Sequence, residues 1–160
     1  SGPIIDQEIF YVTYPAKIQQ VIELSLLSYR KLAYKIVDKL HRKEKIIGYA
    51  QDPKRVTYSL WRNEEDFYID WNKSSETIKR TIDALGYPYS GAKTRTKDST
   101  ITIVDADTYE DVEIEIRQVG KVIFFRDAMP VIVCGDGLLQ IKECNDDSEF
   151  KSITQKTKLH

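Results

Sequence analysis

Cysteine and histidine are scarce in this sequence of 160 residues, which contains two of each. Cys134 and Cys144 lie far from any histidine pair. A structural zinc site needs about four such ligands in close spacing, so the sequence predicts no metal site. The two thiols are better explained as reduced, buried side chains of a cytoplasmic protein.

Long apolar runs are also absent. The purely apolar stretches, such as residues 131–134, are far shorter than the roughly 20 residues that a membrane-spanning helix requires. The N-terminus shows no basic segment followed by an apolar core, the pattern of a secretory signal. The formal net charge of −1 gives no overall attraction for polyanions. We therefore expect a cytoplasmic protein with no membrane partner and no general affinity for nucleic acid.

Apolar residues at helical spacing predict two helices. The first covers residues 17–43, and we expect its apolar face to be buried; this face carries Ile18, Ile22, Tyr29, Leu32, Ile36, Val37 and Leu40. The second begins after Ser74, a favoured N-cap residue, and ends at Gly86. Its inner face carries Ile78, Ile82 and Leu85. Before both helices, residues 4–14 are rich in β-branched and aromatic side chains and predict a strand.

After Gly91 the apolar period changes to two, which is typical of strands. Five short alternating runs follow, at residues 101–103, 112–116, 122–124, 131–133 and 139–141. Turn residues separate these runs, and the glycines of residues 135–137 permit a tight hairpin turn. This rhythm predicts a small β-barrel similar to an OB-fold. From residue 145 onward the chain is polar and is expected to fray.

These patterns predict an α+β protein in three parts: an α/β piece at residues 1–94, the OB-like β-barrel at residues 95–144 and a polar tail at residues 145–160. The first part holds one strand and two helices, which cannot make a sheet covered on both faces. We therefore expect it to be the C-terminal remnant of a larger α/β domain.

Short motifs in the first part resemble those of one enzyme family. Residues 1–7 (Ser-Gly-Pro-Ile-Ile-Asp-Gln) resemble its Asp-x-Gly-x-Ile-x-x-Gln segment without the leading Asp. Residues 57–58 (Thr-Tyr), 62–66 (Arg-Asn-Glu-Glu-Asp) and 69–71 (Ile-Asp-Trp) are similar to its Thr-Tyr, Arg-x-x-Glu-Asp and Ile-Asp-Trp run.

Further motifs follow in the same order as in that family. Residues 87–92 (Tyr-Pro-Tyr-Ser-Gly-Ala) resemble its Pro-Tyr-Pro-Gly-Ala turn, and residues 120–122 and 133–137 match its Gly-x-Val and Cys-Gly-Asp-Gly turns. The chain thus resembles the folate-dependent formyltransferases, which include methionyl-tRNA formyltransferase and the sugar N-formyltransferases. The resemblance implies that residues 1–94 end a Rossmann-like catalytic domain.

The chemistry of this family moves a formyl group from formyl-tetrahydrofolate to an amine, which requires a base and donors for the oxyanion. The resemblance implies an Asn, a His and an Asp in these roles, all in segments ahead of this chain. None can be assigned to a numbered residue, so no catalytic residue is predicted here. We expect the chain alone to be inactive.

Three functions remain open at this point. The leading one is part of an enzyme that formylates the amine of a nucleotide-linked amino sugar. Residues 91–143 are few for the C-terminal barrel of a methionyl-tRNA formyltransferase, and residues 95–160 carry no excess of basic side chains for holding tRNA. The alternatives are part of a methionyl-tRNA formyltransferase, with tRNA as the partner, and a non-catalytic OB-like module that binds nucleic acid.

Four residues are candidates for substrate contact: Arg62, Trp71, Tyr87 and Tyr89. The two tyrosines flank Pro88 at the predicted junction of two domains, where ligands often bind, although aromatic packing explains them equally well. Arg62 suits a phosphate group or an acidic neighbour such as Glu64. The unpaired first strand and the apolar helix face also lead us to expect a homo-oligomer.

Overall fold

The computed structural model of the protein describes residues 2–160, so Ser1, the first residue of the N-terminal motif, lies outside the described residues. The chain divides into two compact units, Ser1–Trp61 and Arg62–His160. This division differs from the domain boundary expected after residue 94, which stays a prediction. Across residues 2–160, no helix combines the length and the apolar character that crossing a membrane requires.

The first unit is built around one long helix, α1 (Ile18–His41), as the apolar spacing predicts. Its predicted inner face is covered only in part within this chain. Leu32 and Ile36 are half-buried, whereas Tyr29 and Val37 are 68% and 61% exposed. The expected burial of the whole face is therefore wrong, and Leu40 is exposed as well.

The segment before α1 does not form the predicted strand. Its backbone pairs at a single position, where Ile4 and Tyr49 exchange two hydrogen bonds of 2.9 Å. Lys31 and Lys35 of α1 contact Glu8 at 3.1 and 3.2 Å. Their hydrogen bonds hold the pKa of the Glu8 carboxyl below its usual value. Charge contacts with the helix, rather than a sheet ladder, therefore fix this segment.

The second unit begins with a short 3₁₀ turn (Glu64–Phe67) and the helix α2 (Ser75–Leu85). The Ser74 hydroxyl accepts a hydrogen bond from the Thr77 N–H at 3.3 Å, and Gly86 follows the last helical residue, so both predicted ends are confirmed. Ile78 and Ile82 are fully or almost fully buried, and so is Leu85. The predicted inner face of α2 is therefore part of the core.

An antiparallel sheet of five strands, in the order β1-β2-β5-β4-β3, forms the rest of the unit. The strands are β1 (Ala92–Arg95), β2 (Thr100–Tyr109), β3 (Val122–Arg126), β4 (Met129–Val133) and β5 (Leu138–Cys144), and the short helix α3 (Asp147–Ser152) follows them. The sheet is open, with β1 and β3 at its edges, so the OB-like barrel is not confirmed. The fold is a small antiparallel sheet packed with helices.

One predicted strand is absent and one was missed. Residues 112–116 form a loop, in which Ile116 is 72% exposed. Arg117 fixes this loop, since its guanidinium donates to the carbonyl oxygens of Cys134 and Gly137 at 3.0 and 2.6 Å and also contacts Asp111. The missed strand is β1, whose Lys93 and Arg95 conceal the alternation of its buried residues.

The C-terminal segment, residues 157–160, pairs with the ends of both edge strands. Arg95 of β1 and His160 exchange backbone hydrogen bonds of 3.0 and 2.9 Å. On the other side, the Leu159 N–H donates to the Gly120 carbonyl at 2.8 Å, just before β3. Leu159 is 2% exposed. The expected fraying of residues 145–160 is therefore wrong, because the buried Ile153 and Leu159 and main-chain pairing anchor an otherwise polar segment.

Two glycines allow the backbone to approach closely in this unit. Gly120 has a φ of +82°, and a Cβ there would strike the Leu159 carbonyl oxygen. A Cβ on Gly135 would strike the Asn72 carbonyl oxygen. Glycine at position 120 lets the C-terminal segment pack closely. Glycine at position 135 lets the turn between β4 and β5 pack against the start of α2.

We predict that Leu159→Ala lowers the free energy of unfolding of the second unit by about 2–5 kcal/mol, because it empties a buried leucine site. The exposed Lys156→Ala is the control in the same segment and should change the free energy by less than about 0.5 kcal/mol. Urea denaturation followed by circular dichroism measures both. Equal stabilities for the two variants would show that the segment frays.

Candidate functional site

Three of the four candidate contact residues are exposed. Tyr87 and Tyr89 are 71% and 53% exposed beside Pro88, and Arg62 is exposed as well. Glu64, the acidic neighbour that could have held Arg62, instead pairs with Lys93 at 2.7 Å. The side chains of Arg62, Tyr87 and Tyr89 are therefore accessible, and their part in substrate contact stays a prediction.

Trp71, the fourth candidate, is a core residue with 3% of its surface exposed. Its indole N–H donates to the Thr94 hydroxyl at 2.9 Å, and that hydroxyl donates to the His160 carbonyl at 3.2 Å. Trp71 is one of the residues that line a cavity of about 310 Å³, but Arg62, Tyr87 and Tyr89 are not. The structure does not gather the four candidates into that one site.

Main-chain pairing places basic residues together on the outer side of the C-terminal segment. Arg95 is directly opposite His160, and Lys121 is directly opposite Lys158. All four are exposed, while Leu159, between Lys158 and His160, points into the core. Opposed residues in antiparallel pairs share a face, as do residues two apart in a strand. We call this group of Arg95, Lys121, Lys158 and His160 the basic face.

An aromatic ring supports one end of the basic face. The Arg95 guanidinium carbon lies 4.0 Å from the centroid of the Tyr68 ring, within cation–π range. A hydrogen bond with Thr100 lowers the pKa of the Tyr68 hydroxyl, and Arg95 acts in the same direction. One signal for the basic face is visible in the sequence, the alternation of Lys156, Lys158 and His160 in a segment whose composition is otherwise that of a polar tail.

A larger cavity of about 540 Å³ lies between the turn at residues 96–99 and the end of the chain. Every residue that lines it has a polar or charged side chain, among them Lys97, Lys156, Lys158 and Asp98. A pterin ring needs apolar walls around a few polar groups, so this cavity does not fit formyl-tetrahydrofolate. We derive no catalytic step through that cofactor.

Neither cysteine is placed to act as a nucleophile. Both side chains are buried, and burial raises the pKa of the Cys134 and Cys144 thiols to about 12. Nearby charges change the pKa of each thiol less than its burial does. The thiol, rather than the reactive thiolate, is therefore the form held in the native protein.

A protein-family model, that of the formyl transferase C-terminal domain, matches residues 62–154 of this chain. This is more than half of the chain and nearly all of the second unit. The chain belongs to the formyltransferase family. The matched region includes the loop of Arg117, the glycine turn between β4 and β5, and the helix α3.

Relatives of this formyltransferase chain extend the match into the first unit. The chain is 27% identical over 144 residues to the methionyl-tRNA formyltransferase of Borrelia hermsii. The aligned residues make up 89% of this chain and 46% of that protein. The chain is 33% identical over 95 residues to the methionyl-tRNA formyltransferase of Listeria welshimeri. These residues make up 59% of this chain and 29% of the relative. The chain thus spans about half the length, or less, of the curated relatives that it matches.

Replacing Thr94 by Val should destabilise the formyltransferase domain, because it leaves the buried Trp71 N–H without its acceptor. The expected loss is about 1–3 kcal/mol in the free energy of unfolding. Thr102→Val is the matched control, since Thr102 is only half-buried and the same change of shape occurs there. We expect the control to stay within about 0.5 kcal/mol of the parent chain in urea denaturation. Similar losses in both variants would contradict a specific role for the Trp71 hydrogen bond.

Both thiols should resist alkylation in the native chain at about pH 8 and react once the chain is unfolded in urea, because burial keeps them protonated. Stability should then fall as the pH rises from 9, where unfolded thiols ionise, towards 12, since the native state retains these protons. Mass spectrometry after iodoacetamide treatment tests the first point. Rapid native labelling that disappears in Cys134→Ala would show that this thiol is accessible.

Proposed function

We propose that this chain is the C-terminal part of a methionyl-tRNA formyltransferase. The observation that carries the proposal is the continuous similarity to the Borrelia hermsii methionyl-tRNA formyltransferase, which includes both units of the chain. This replaces the nucleotide-linked amino sugar that sequence reasoning favoured as the acceptor.

Two observations support tRNA rather than a sugar as the acceptor. Residues 91–143 are only part of the second unit, which continues through α3 and the anchored Leu159 to residue 160. Binding of a polyanion depends on where charges lie and not only on composition. The basic face concentrates exposed cations in one place on a domain without an excess of basic residues.

In this proposal the chain contributes acceptor binding, and the formyl chemistry belongs to the Asn, His and Asp that the family resemblance implies. The described histidines are poorly suited to the role of the base. His41 is exposed at the end of α1, and the backbone of His160 is held by Arg95. We therefore infer that the 160 residues alone transfer no formyl group from formyl-tetrahydrofolate.

Two finer expectations stay part of the proposal. Residues 1–94 would be the end of a Rossmann-like catalytic domain in a cytoplasmic enzyme. The expected homo-oligomer has as its support the exposed apolar side chains of α1, such as Leu26, Leu27, Tyr34 and Val37. The second unit does not add to this support, because both edges of its sheet pair with the C-terminal segment.

A chimera tests the proposed acceptor. We would replace the matched part of the Borrelia hermsii enzyme with this chain and supply formyl-tetrahydrofolate with either methionyl-tRNA or nucleotide-linked amino sugars. The chimera should formylate methionyl-tRNA and leave the sugars unchanged. Direct binding of methionyl-tRNA to the 160-residue chain, measured by filter retention, supports the same conclusion if the chimera misfolds. Sugar formylation, or the failure of both assays, would overturn the proposal.

A further inference from the structure

Two lysines of the second unit are held directly against each other. Lys121 and Lys158 form an antiparallel bridge, flanked by the Leu159 N–H bond to Gly120 and the Val122 N–H bond to Thr157, at 2.8 and 3.4 Å. These bonds make it a non-hydrogen-bonded pair, in which opposed Cα atoms approach to about 4.5 Å. Like charges in this position destabilise a sheet.

The described side chains form no ion pair with these two lysines. Other lysines of the same unit do have an ion-pair partner. Lys79 pairs with Asp83 at 2.7 Å, and Lys142 lies 3.8 Å from Asp107. The opposed lysines are therefore an uncompensated charge at a position that the main chain fixes.

The neighbouring groups add to the positive charge. Arg95 lies opposite His160 on the same face, and Lys97 and Lys156 line the cavity of about 540 Å³ beside Lys158. Among the side chains that line these cavities, the carboxylates are Asp98 in the larger cavity and Asp70 in the cavity of about 310 Å³.

The Asp70 carboxylate and the His160 carbonyl, on the other side of the face, already accept hydrogen bonds. One oxygen of Asp70 accepts two hydrogen bonds from Asn72, at 3.1 and 3.0 Å. The carbonyl oxygen of His160 accepts from the Arg95 N–H at 3.0 Å and from the Thr94 hydroxyl at 3.2 Å. Cations thus outnumber acids around Lys158, and their side chains remain exposed.

We propose that the basic face is a phosphate-binding site centred on Lys121 and Lys158. A phosphate group between the two ammonium groups would replace their repulsion with two attractions. The Arg95 guanidinium, in the neighbouring residue pair, would bind the same phosphate. The phosphate is either a free anion or part of a phosphodiester backbone, and the site does not depend on which acceptor the enzyme formylates.

Thermal unfolding with inorganic phosphate tests the free ligand. Without phosphate, Lys121→Gln should raise the melting temperature of the chain, because it removes the repulsion. With phosphate at equal ionic strength, adjusted with chloride, the parent chain should become the more stable of the two. This reversal is the result that a purely structural role of Lys121 would not give. Lys142→Gln changes the net charge equally and should respond to phosphate as the parent chain does.

A second arm tests the phosphodiester source with a fluorescent single-stranded RNA followed by anisotropy. The double variant Lys121→Gln with Lys158→Gln should bind about fivefold more weakly, as expected for the loss of two exposed charge contacts. The slope of log K against log salt should fall in magnitude by about 1.4, since each phosphate contact on a single strand contributes about 0.7.

The two arms separate the sources of phosphate and can also reject the site. A saturable, variant-sensitive effect of inorganic phosphate identifies a free ligand, and an effect confined to RNA identifies a backbone contact. The proposal is overturned if neither ligand binds, or if Lys142→Gln weakens binding as much as the double variant does. A chimera that fails to use methionyl-tRNA would sink the proposed function and leave these binding results unaffected.

Discussion

The second unit depends on the backbone pairing of residues 157–160 with both edges of its sheet. One side of this segment bonds to Arg95 and the other to Gly120, and Leu159 enters the core between them. The unpaired donors and acceptors of an edge strand are a liability, and this pairing satisfies several of them at once. The same geometry brings the His160 carbonyl to Thr94 and so completes the hydrogen bonds of the buried Trp71.

Close contact through glycine explains why the turn between β4 and β5 has its particular sequence. The Gly135 N–H donates to the carbonyl oxygens of Trp71 and Lys73 at 2.9 and 3.0 Å, and a side chain at this position would collide with Asn72. The Asp136 carbonyl accepts from the Ser75 N–H at 2.8 Å at the start of α2. The turn between β4 and β5, which resembles a family motif, therefore holds the sheet against the start of α2 by main-chain hydrogen bonds.

Local patterns in the sequence predicted the elements that local forces determine. The spacing of Ile78, Ile82 and Leu85 and the cap at Ser74 located α2, because these signals lie within one helix. Strand β1 was missed because its polar residues are ordered by pairing with β2 rather than by their own apolar character. Residues 112–116 alternate like a strand, yet the contacts of Arg117 with distant carbonyl groups make them a loop.

The candidate site was harder to predict for the same reason. Tyr87 and Tyr89 are exposed and their part in substrate contact stays a prediction, whereas Trp71 lies in the core. The basic face joins three stretches that are far apart in the chain, and only their pairing shows that they share one side. Composition could not reveal it, because acidic residues elsewhere in the domain cancel its charge in the sum.

The burial of Trp71 also gives the protein an internal optical reporter. The chain has two tryptophans, and the other, Trp61, is 99% exposed at the end of the first unit, so the two indoles occupy opposite environments. Trp71 should emit at shorter wavelength and resist a soluble quencher, while Trp61 should emit as it would in water. Because Trp71 lies in the core near the C-terminal segment, its red shift would record the loss of the second unit's packing without any attached label.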